Sequence, residues 1–183
     1  MRIWNSEQEY GSVAKFFHWF IGIGIILMLA VGCVMGDLPR AIRGSVYNAH
    51  KCAGIIILCL VLLRVVWRFM NVRPLWPVSM PAIQQFAAKI SHLLLYAFMF
   101  IMPLTGWLMS TASGRNPNLF GIPLIMPGVG LSDVAAGTAN RLHYIFAWSL
   151  LAVVAIHIVA AWKHHLVDKD NIMRRMLPRK KRD

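Results

Sequence analysis

Two histidines fourteen residues apart in one apolar stretch, His143 and His157, are the residues of this chain best placed for chemistry. Fourteen residues of α-helix rise about 21 Å and complete almost four turns, so both imidazoles leave the same face. In a hydrocarbon layer about 30 Å thick, the two rings would lie near opposite edges. Polar rings buried in lipid need partners. Axial ligation of two stacked haems would give each ring such a partner.

The composition indicates the elements that position these rings. The chain has 183 residues, of which 58% are hydrophobic and 14% are charged. Four apolar runs each have about the twenty residues that a membrane-spanning helix needs. We therefore predict an all-α membrane protein, a four-transmembrane-helix bundle that forms a single domain over residues 1–183. The expected helices cover about residues 14–36, 47–70, 87–110 and 140–165, and the expected linkers are 39–45, 71–81 and 110–140.

The net charge of +12 is interpreted as a topology signal rather than as a nucleic-acid-binding surface. Lysines and arginines cluster between the apolar runs and in the C-terminal tail, and such residues favour the cytoplasmic side of a membrane. The tail decides the orientation, because it has the largest group of basic residues. The N- and C-termini are both expected in the cytoplasm.

This topology assigns a membrane depth to each histidine. Only His50 and His143 share the non-cytoplasmic level, so depth alone makes them a pair. At the cytoplasmic level His157 can be matched either by His18 or by His92, and depth does not choose between them. Ligation of an iron by two imidazoles leaves no open position for oxygen chemistry and favours electron transfer.

Three further observations bear on the kind of metal site. No Cys-x-x-Cys-His motif occurs, so a haem here would be non-covalent b-type haem. Zinc fits poorly, because it needs three or four ligands in one small cluster rather than histidines paired at separate depths. Arg64 lies fourteen residues after His50. It therefore either pairs with a haem propionate or extends to the cytoplasmic interface, and these two interpretations have equal weight.

Several short segments together resemble one known family. They are Phe17–Trp19, Asn48–Gly54, Ser91–Tyr96, Leu142–His143, Ala155–His157, and, in the tail, Lys163–Asn171 and Arg174–Arg179. On these segments the chain resembles the bacterial cytochrome b561 family over essentially its whole length. The resemblance implies a multi-pass protein of the bacterial inner membrane that holds two b haems, with ligands from the first, second and fourth helices.

The resemblance also implies roles for individual histidines. His50 and His143 would hold the periplasmic-side haem, and His18 and His157 the cytoplasmic-side haem. His92 would then contact a propionate or a quinone. The adjacent pair His164 and His165 matches the place where the family is thought to bind quinone, although a polar pair at the membrane interface explains these two residues equally well.

The expected function is electron transfer across the inner membrane between a periplasmic one-electron donor and ubiquinone or another membrane quinone. Members of the family have been assigned superoxide oxidation, so an oxidoreductase acting between superoxide and ubiquinone is one form of this expectation. Basic residues on the periplasmic side would attract superoxide or, equally, dock an acidic donor protein. They are Arg40, Arg43, Lys51, Arg115 and Arg141. The alternative is a haem-bearing membrane anchor for a partner dehydrogenase, without activity toward small donors.

Overall fold

Four long α-helices make up most of the protein, whose computed structural model describes residues 2–177. They are α1 (Ser12–Val34), α2 (Arg40–Phe69), α3 (Ala82–Ala112) and α4 (Asp133–Leu166). All four are long and apolar enough to cross a membrane. Between α3 and α4, the two-residue strands β1 (Asn118–Leu119) and β2 (Ile122–Pro123) pair antiparallel in a small hairpin. The prediction of a four-helix membrane protein is confirmed.

All four helices begin earlier than expected, α1 by two residues and α2, α3 and α4 by five to seven. The prediction of a linker over residues 39–45 was wrong, because α2 begins at Arg40. Pro39 sits at the helix start, where its fixed φ is favourable, and the Arg43 side chain donates back to the Leu38 carbonyl at 2.7 and 2.9 Å. Helix α4 begins at Asp133, where the Ser132 hydroxyl caps it by accepting from the Ala135 N–H. The N-terminal parts of both helices are therefore helical extensions rather than loops.

The interior of the bundle is small and apolar, and every helix contributes to it. Its buried residues are Ile21 and Ile25 from α1, Val61 from α2, Met99 from α3 and Leu150 from α4. Large apolar side chains on the outer faces are instead exposed, among them Leu27, Leu63, Leu93 and Ile156. An apolar outer surface on helices of this length is the surface that lipid covers.

The order of packing leaves one helix apart from two others. Helix α1 packs on α2, α2 on α3, and α3 on α4. Within the described helices, α4 makes almost no close backbone approach to α1 or α2. The interior faces of α1 and α2 are thus separated from α4 by a space that side chains or a bound group must fill.

The two ends of the bundle differ, and we call them the hairpin end and the tail end. The hairpin end carries β1 and β2, where the Asn48 side chain at α2 bonds to the backbone of Asn118. At the tail end, Trp4 stacks on Trp67 with ring centroids 4.8 Å apart, and the Trp19 indole donates to the Met176 carbonyl at 2.8 Å. The N-terminal segment and the residues after α4 thus meet at one end, as an even number of spans requires.

Candidate functional site

At the hairpin end, the His143 imidazole is held in one orientation by α3. Its Nδ1 lies 3.0 Å from the Met102 carbonyl oxygen and 3.1 Å from the Thr105 hydroxyl. A carbonyl only accepts hydrogen bonds, so Nδ1 carries the hydrogen and the lone pair is on Nε2. Histidines that bind metals are commonly fixed in this way, by a carbonyl on the nitrogen that faces away from the metal.

A glycine makes room for this ring. A β-carbon at Gly106 would lie 3.1 Å from His143 Cε1 and 3.4 Å from Nδ1, which is tighter than nearly all real contacts. The sequence prediction missed both Thr105 and Gly106. The available signal was a glycine inside an apolar helix just after Pro103, a position where glycine usually has a packing reason.

His50 approaches the same end from α2. Its Nδ1 is buried without a hydrogen-bond partner among the described residues. His143 lies within electrostatic range of His50, and the Cε1 of His50 would be 3.6 Å from a β-carbon at Gly32. A buried polar atom left unpaired costs about 1–3 kcal/mol. The His50 ring therefore lacks a polar partner, which a bound ligand would supply.

At the tail end, three histidines from three helices face one another. The ring centroid of His157 lies 6.2 Å from that of His18 and 5.6 Å from that of His92. Metal–imidazole bonds of about 2 Å on opposite sides of one iron place two ring centroids about 6 Å apart. Both pairs meet this requirement, so the distances leave the choice between His18 and His92 open.

Arg64 is partly buried and contacts side chains of α1 and α3. One of its nitrogens, Nη2, is 3.3 Å from His18 Nδ1, and its Cζ is 5.7 Å from the centre of the Tyr96 ring. A guanidinium only donates hydrogen bonds, so His18 Nδ1 accepts and its Nε2 carries the hydrogen. For His18 to bind iron through Nε2, the proton must move to Nδ1 and Arg64 must turn away.

The adjacent histidines at the end of α4 have different surroundings. His164 Nδ1 lies 2.7 Å from an Asp170 carboxylate oxygen and 3.3 Å from Asp168, which also pairs with Lys163 at 2.6 Å. The Nδ1 of His165 is buried without a partner in the described part of the chain. His164 is therefore anchored, whereas His165 has a nitrogen available for another group.

These features fit b-type haem. Imidazoles from α4 face imidazoles from α1 and α2 across a space that the helix backbones do not fill, and a buried ring nitrogen lacks a partner. Membrane helices that present histidines in this way define a transmembrane haem cytochrome. Residues 9–179 match the family described as prokaryotic cytochrome b561. The chain belongs to that family, so it is a multi-pass protein of the bacterial inner membrane that binds b-type haem and transfers electrons.

Three curated relatives cover nearly the whole chain. Cytochrome b561 homolog 2 of Escherichia coli is 32% identical over 189 aligned positions, spanning 100% of this chain and 98% of the relative. The probable superoxide oxidase CybB of Yersinia pestis is 27% identical, spanning 96% and 99%. Cytochrome b561 homolog 1 of Escherichia coli is 28% identical, spanning 95% and 99%. This chain is similar to all three along their length.

Proposed function

We propose that the protein holds two b haems, one near each end of the bundle, and passes electrons from a periplasmic donor to membrane quinone. The observation that carries the proposal is the placement of His143 and His157 on one face of α4, each opposite imidazoles of other helices. We take the hairpin end as periplasmic and the tail end as cytoplasmic, because the basic tail favours the cytoplasm.

His50 and His143 would hold the periplasmic-side haem. The Met102 carbonyl and the Thr105 hydroxyl keep the hydrogen of His143 on Nδ1, so that Nε2 can bind iron without rearrangement. His50 has a buried Nδ1 without a partner in the described part of the chain, so no hydrogen bond of that nitrogen has to be broken for the ring to bind metal. When bound, haem would supply one-electron redox chemistry at this end of the bundle.

His18 and His157 would hold the cytoplasmic-side haem, as the family resemblance implies. The ring centroid of His92 lies 5.6 Å from that of His157, so His92 would contact the edge of that haem or a quinone. Arg64 would leave Nδ1 of His18 and pair with a propionate, for which a guanidinium is well suited.

Quinone would bind at the cytoplasmic end of α4, near His164 and His165. The partnerless Nδ1 of His165 can donate to a quinone carbonyl, while Asp170 holds His164 in place through the contact of its carboxylate with Nδ1. Two superoxide anions each lose one electron and become O2. One quinone takes up the two electrons together with two protons from the cytoplasm and becomes quinol.

Superoxide is the donor we favour, and one relative bears the name probable superoxide oxidase. Three of the five basic residues expected at this end, Arg40, Arg115 and Arg141, are exposed and can attract an anion. Arg43 and Lys51 are half-buried and donate to the carbonyls of Leu38 and Arg115. These two are therefore held within the structure, and the steering of a donor depends on the exposed three.

Rapid mixing of the purified, oxidised protein with superoxide tests this function. We expect the haem absorption bands to shift to the reduced form within the mixing experiment, and ubiquinone added in lipid nanodiscs to be converted to quinol. Haem reduction by dithionite, but not by superoxide, would refute the superoxide function and leave the membrane-anchor alternative. Purified protein without a Soret band would refute the haem proposal altogether.

A further inference from the structure

Three arginines from two distant parts of the chain converge at the tail end. Arg64 and Arg68 come from α2, and their Cζ atoms lie 5.7 and 5.3 Å from the centre of the Tyr96 ring. Arg175 comes from the turn after α4, and it donates to the carbonyl of Leu75. We call Arg64, Arg68 and Arg175 the arginine cluster.

The phenol of Tyr10 lies within electrostatic range of all three side chains. Burial raises the pKa of Tyr10 above its usual value, and the positive charges of Arg68, Arg175 and Arg64 oppose this effect, in decreasing order. All three guanidinium groups are thus close enough to act on one hydroxyl. Each of the three arginines is only partly exposed.

Among the described residues, no ion pair is found between a carboxylate and the arginine cluster. The three ion pairs of residues 2–177 join Lys163 and His164 to Asp168, and His164 to Asp170. The Nε of Arg175 is buried without an acceptor in this part of the chain, and Arg64 donates to His18. Partly buried guanidinium groups without a counter-charge are costly, so an anion is expected to bind there.

The position of the cluster indicates which anion this is. Arg64 contacts His18, whose ring faces His157, so the cluster adjoins the cytoplasmic-side haem of the proposed function. A b haem carries two propionates, and guanidinium groups bind carboxylates through paired hydrogen bonds. We propose that Arg64, Arg68 and Arg175 together bind the propionates of this haem, so that the turn at 171–177 forms part of its site. This inference rests on the proposed function.

The turn is already held against the bundle in a way that suits this role. The Lys15 ammonium donates to the Leu177 carbonyl at 2.9 Å, and the Trp19 indole to the Met176 carbonyl at 2.8 Å. These contacts bring the backbone of the turn against the start of α1, next to His18. Propionate binding by Arg175 adds a contact that exists only when haem is present, so haem binding and docking of the turn stabilise each other.

Arg175→Gln and its neighbour Arg174→Gln form a matched pair for the test. Arg174 is exposed and its side chain makes no hydrogen bond to the described residues. We expect Arg175→Gln to lose one of the two haems to excess apomyoglobin about ten to a hundred times faster than wild type, as loss of a charge-assisted hydrogen bond predicts. The other haem, and both haems of Arg174→Gln, should leave at wild-type rates.

Hydrogen exchange of the amides at 171–177 provides the second readout. Loading with haem should slow exchange in this turn in wild type and in Arg174→Gln, and should do so much less in Arg175→Gln. The inference would be overturned by equal haem transfer rates for the two variants, or by amide exchange at 171–177 that is the same with and without haem. Either result would leave two-haem electron transfer intact. Absence of a second haem in wild type would instead contradict the proposed function.

Nanodiscs with and without anionic phosphatidylglycerol separate haem from lipid as the source of the anion. Protection of the turn by haem in purely zwitterionic nanodiscs supports propionate binding. Protection that requires phosphatidylglycerol and does not respond to haem assigns the cluster to lipid headgroups and rejects the proposal.

Discussion

The His143 ring lies close against the position that a β-carbon at Gly106 would occupy. A β-carbon at residue 106 would lie 3.1 Å from Cε1 of the imidazole, and the Met102 carbonyl on the same helix lies 3.0 Å from its Nδ1. Helix α3 therefore controls the position and the protonated nitrogen of a ring that belongs to α4. In the proposed function this helix orients a haem ligand at the hairpin end without supplying one.

Replacing Gly106 with valine should remove the periplasmic-side haem. The branched side chain cannot share the space of the His143 ring, so we expect a haem-to-protein ratio like that of His143→Ala, which is one haem instead of two. Gly106→Ala needs only a small displacement, and overpacking of about 1–3 kcal/mol predicts haem loss that is about five to a hundred times faster. Haem content and haem transfer rates measure both effects.

Gly137→Ala is the control for this pair, because a β-carbon at that position meets nothing within 4 Å. It should keep both haems at wild-type stability. A Gly106→Val protein with two haems at unchanged redox potentials would show that His143 does not depend on this contact.

Alanine variants of His18 and His92 should separate the two rings that face His157. We expect His18→Ala to lose the cytoplasmic-side haem and His92→Ala to keep it with a shifted potential. The measurements are haem content and electron paramagnetic resonance of the oxidised protein, which distinguishes the two haem environments. The opposite result would make His92 the ligand and leave Arg64 in its contact with His18.

Replacing Asp170 with asparagine should slow quinone reduction while haem binding is preserved. Its carboxylate lies 2.7 Å from His164 Nδ1 and also accepts the Ile172 N–H, so it orients the histidine and the chain after α4. Loss of a hydrogen bond to a charged group predicts a turnover about ten to a hundred times lower. Quinol formation at fixed haem content is the measurement.

A double-variant cycle shows whether Asp170 acts through His164. If it does, the quinone turnover of the double variant Asp170→Asn/His164→Gln should equal that of the slower single variant. Asp37→Asn, an exposed carboxylate outside the helices, should have wild-type turnover. Additive losses in the double variant would indicate that the two residues act independently.

Neutralising Arg40, Arg115 and Arg141 together as glutamines should slow the reaction with superoxide. If these exposed charges attract the anion, its second-order rate constant should fall about tenfold at low ionic strength. The difference should shrink in 0.5 M salt, because screening reaches only about 4 Å at that concentration. Arg174→Gln, at the other end of the bundle, should react like wild type. An equal rate constant at low salt would mean that these arginines do not steer the donor.

Much of the architecture could be predicted from local pattern. The apolar runs predicted four spanning helices because a lipid environment leaves the backbone few alternatives, and the period of the helix placed His143 and His157 on one face. The helix starts were less predictable. Helix α2 begins at Arg40 because Pro39 precedes it, and α4 begins at Asp133 because Ser132 caps it. Both starts lie within polar segments that we expected to form linkers.

The sequence by itself determined which residues are candidates for binding haem, since few polar side chains are tolerated within the spans and histidines stand out among them. Only the tertiary structure decided what surrounds those rings. The contact of Gly106 with His143, the hydrogen bond of Arg64 to His18 and the hydrogen bond of Arg175 to the Leu75 carbonyl each join distant parts of the chain. Such contacts depend on how the helices pack and on where the residues after α4 lie against the bundle. Neither can be predicted from the local periodicity of the sequence.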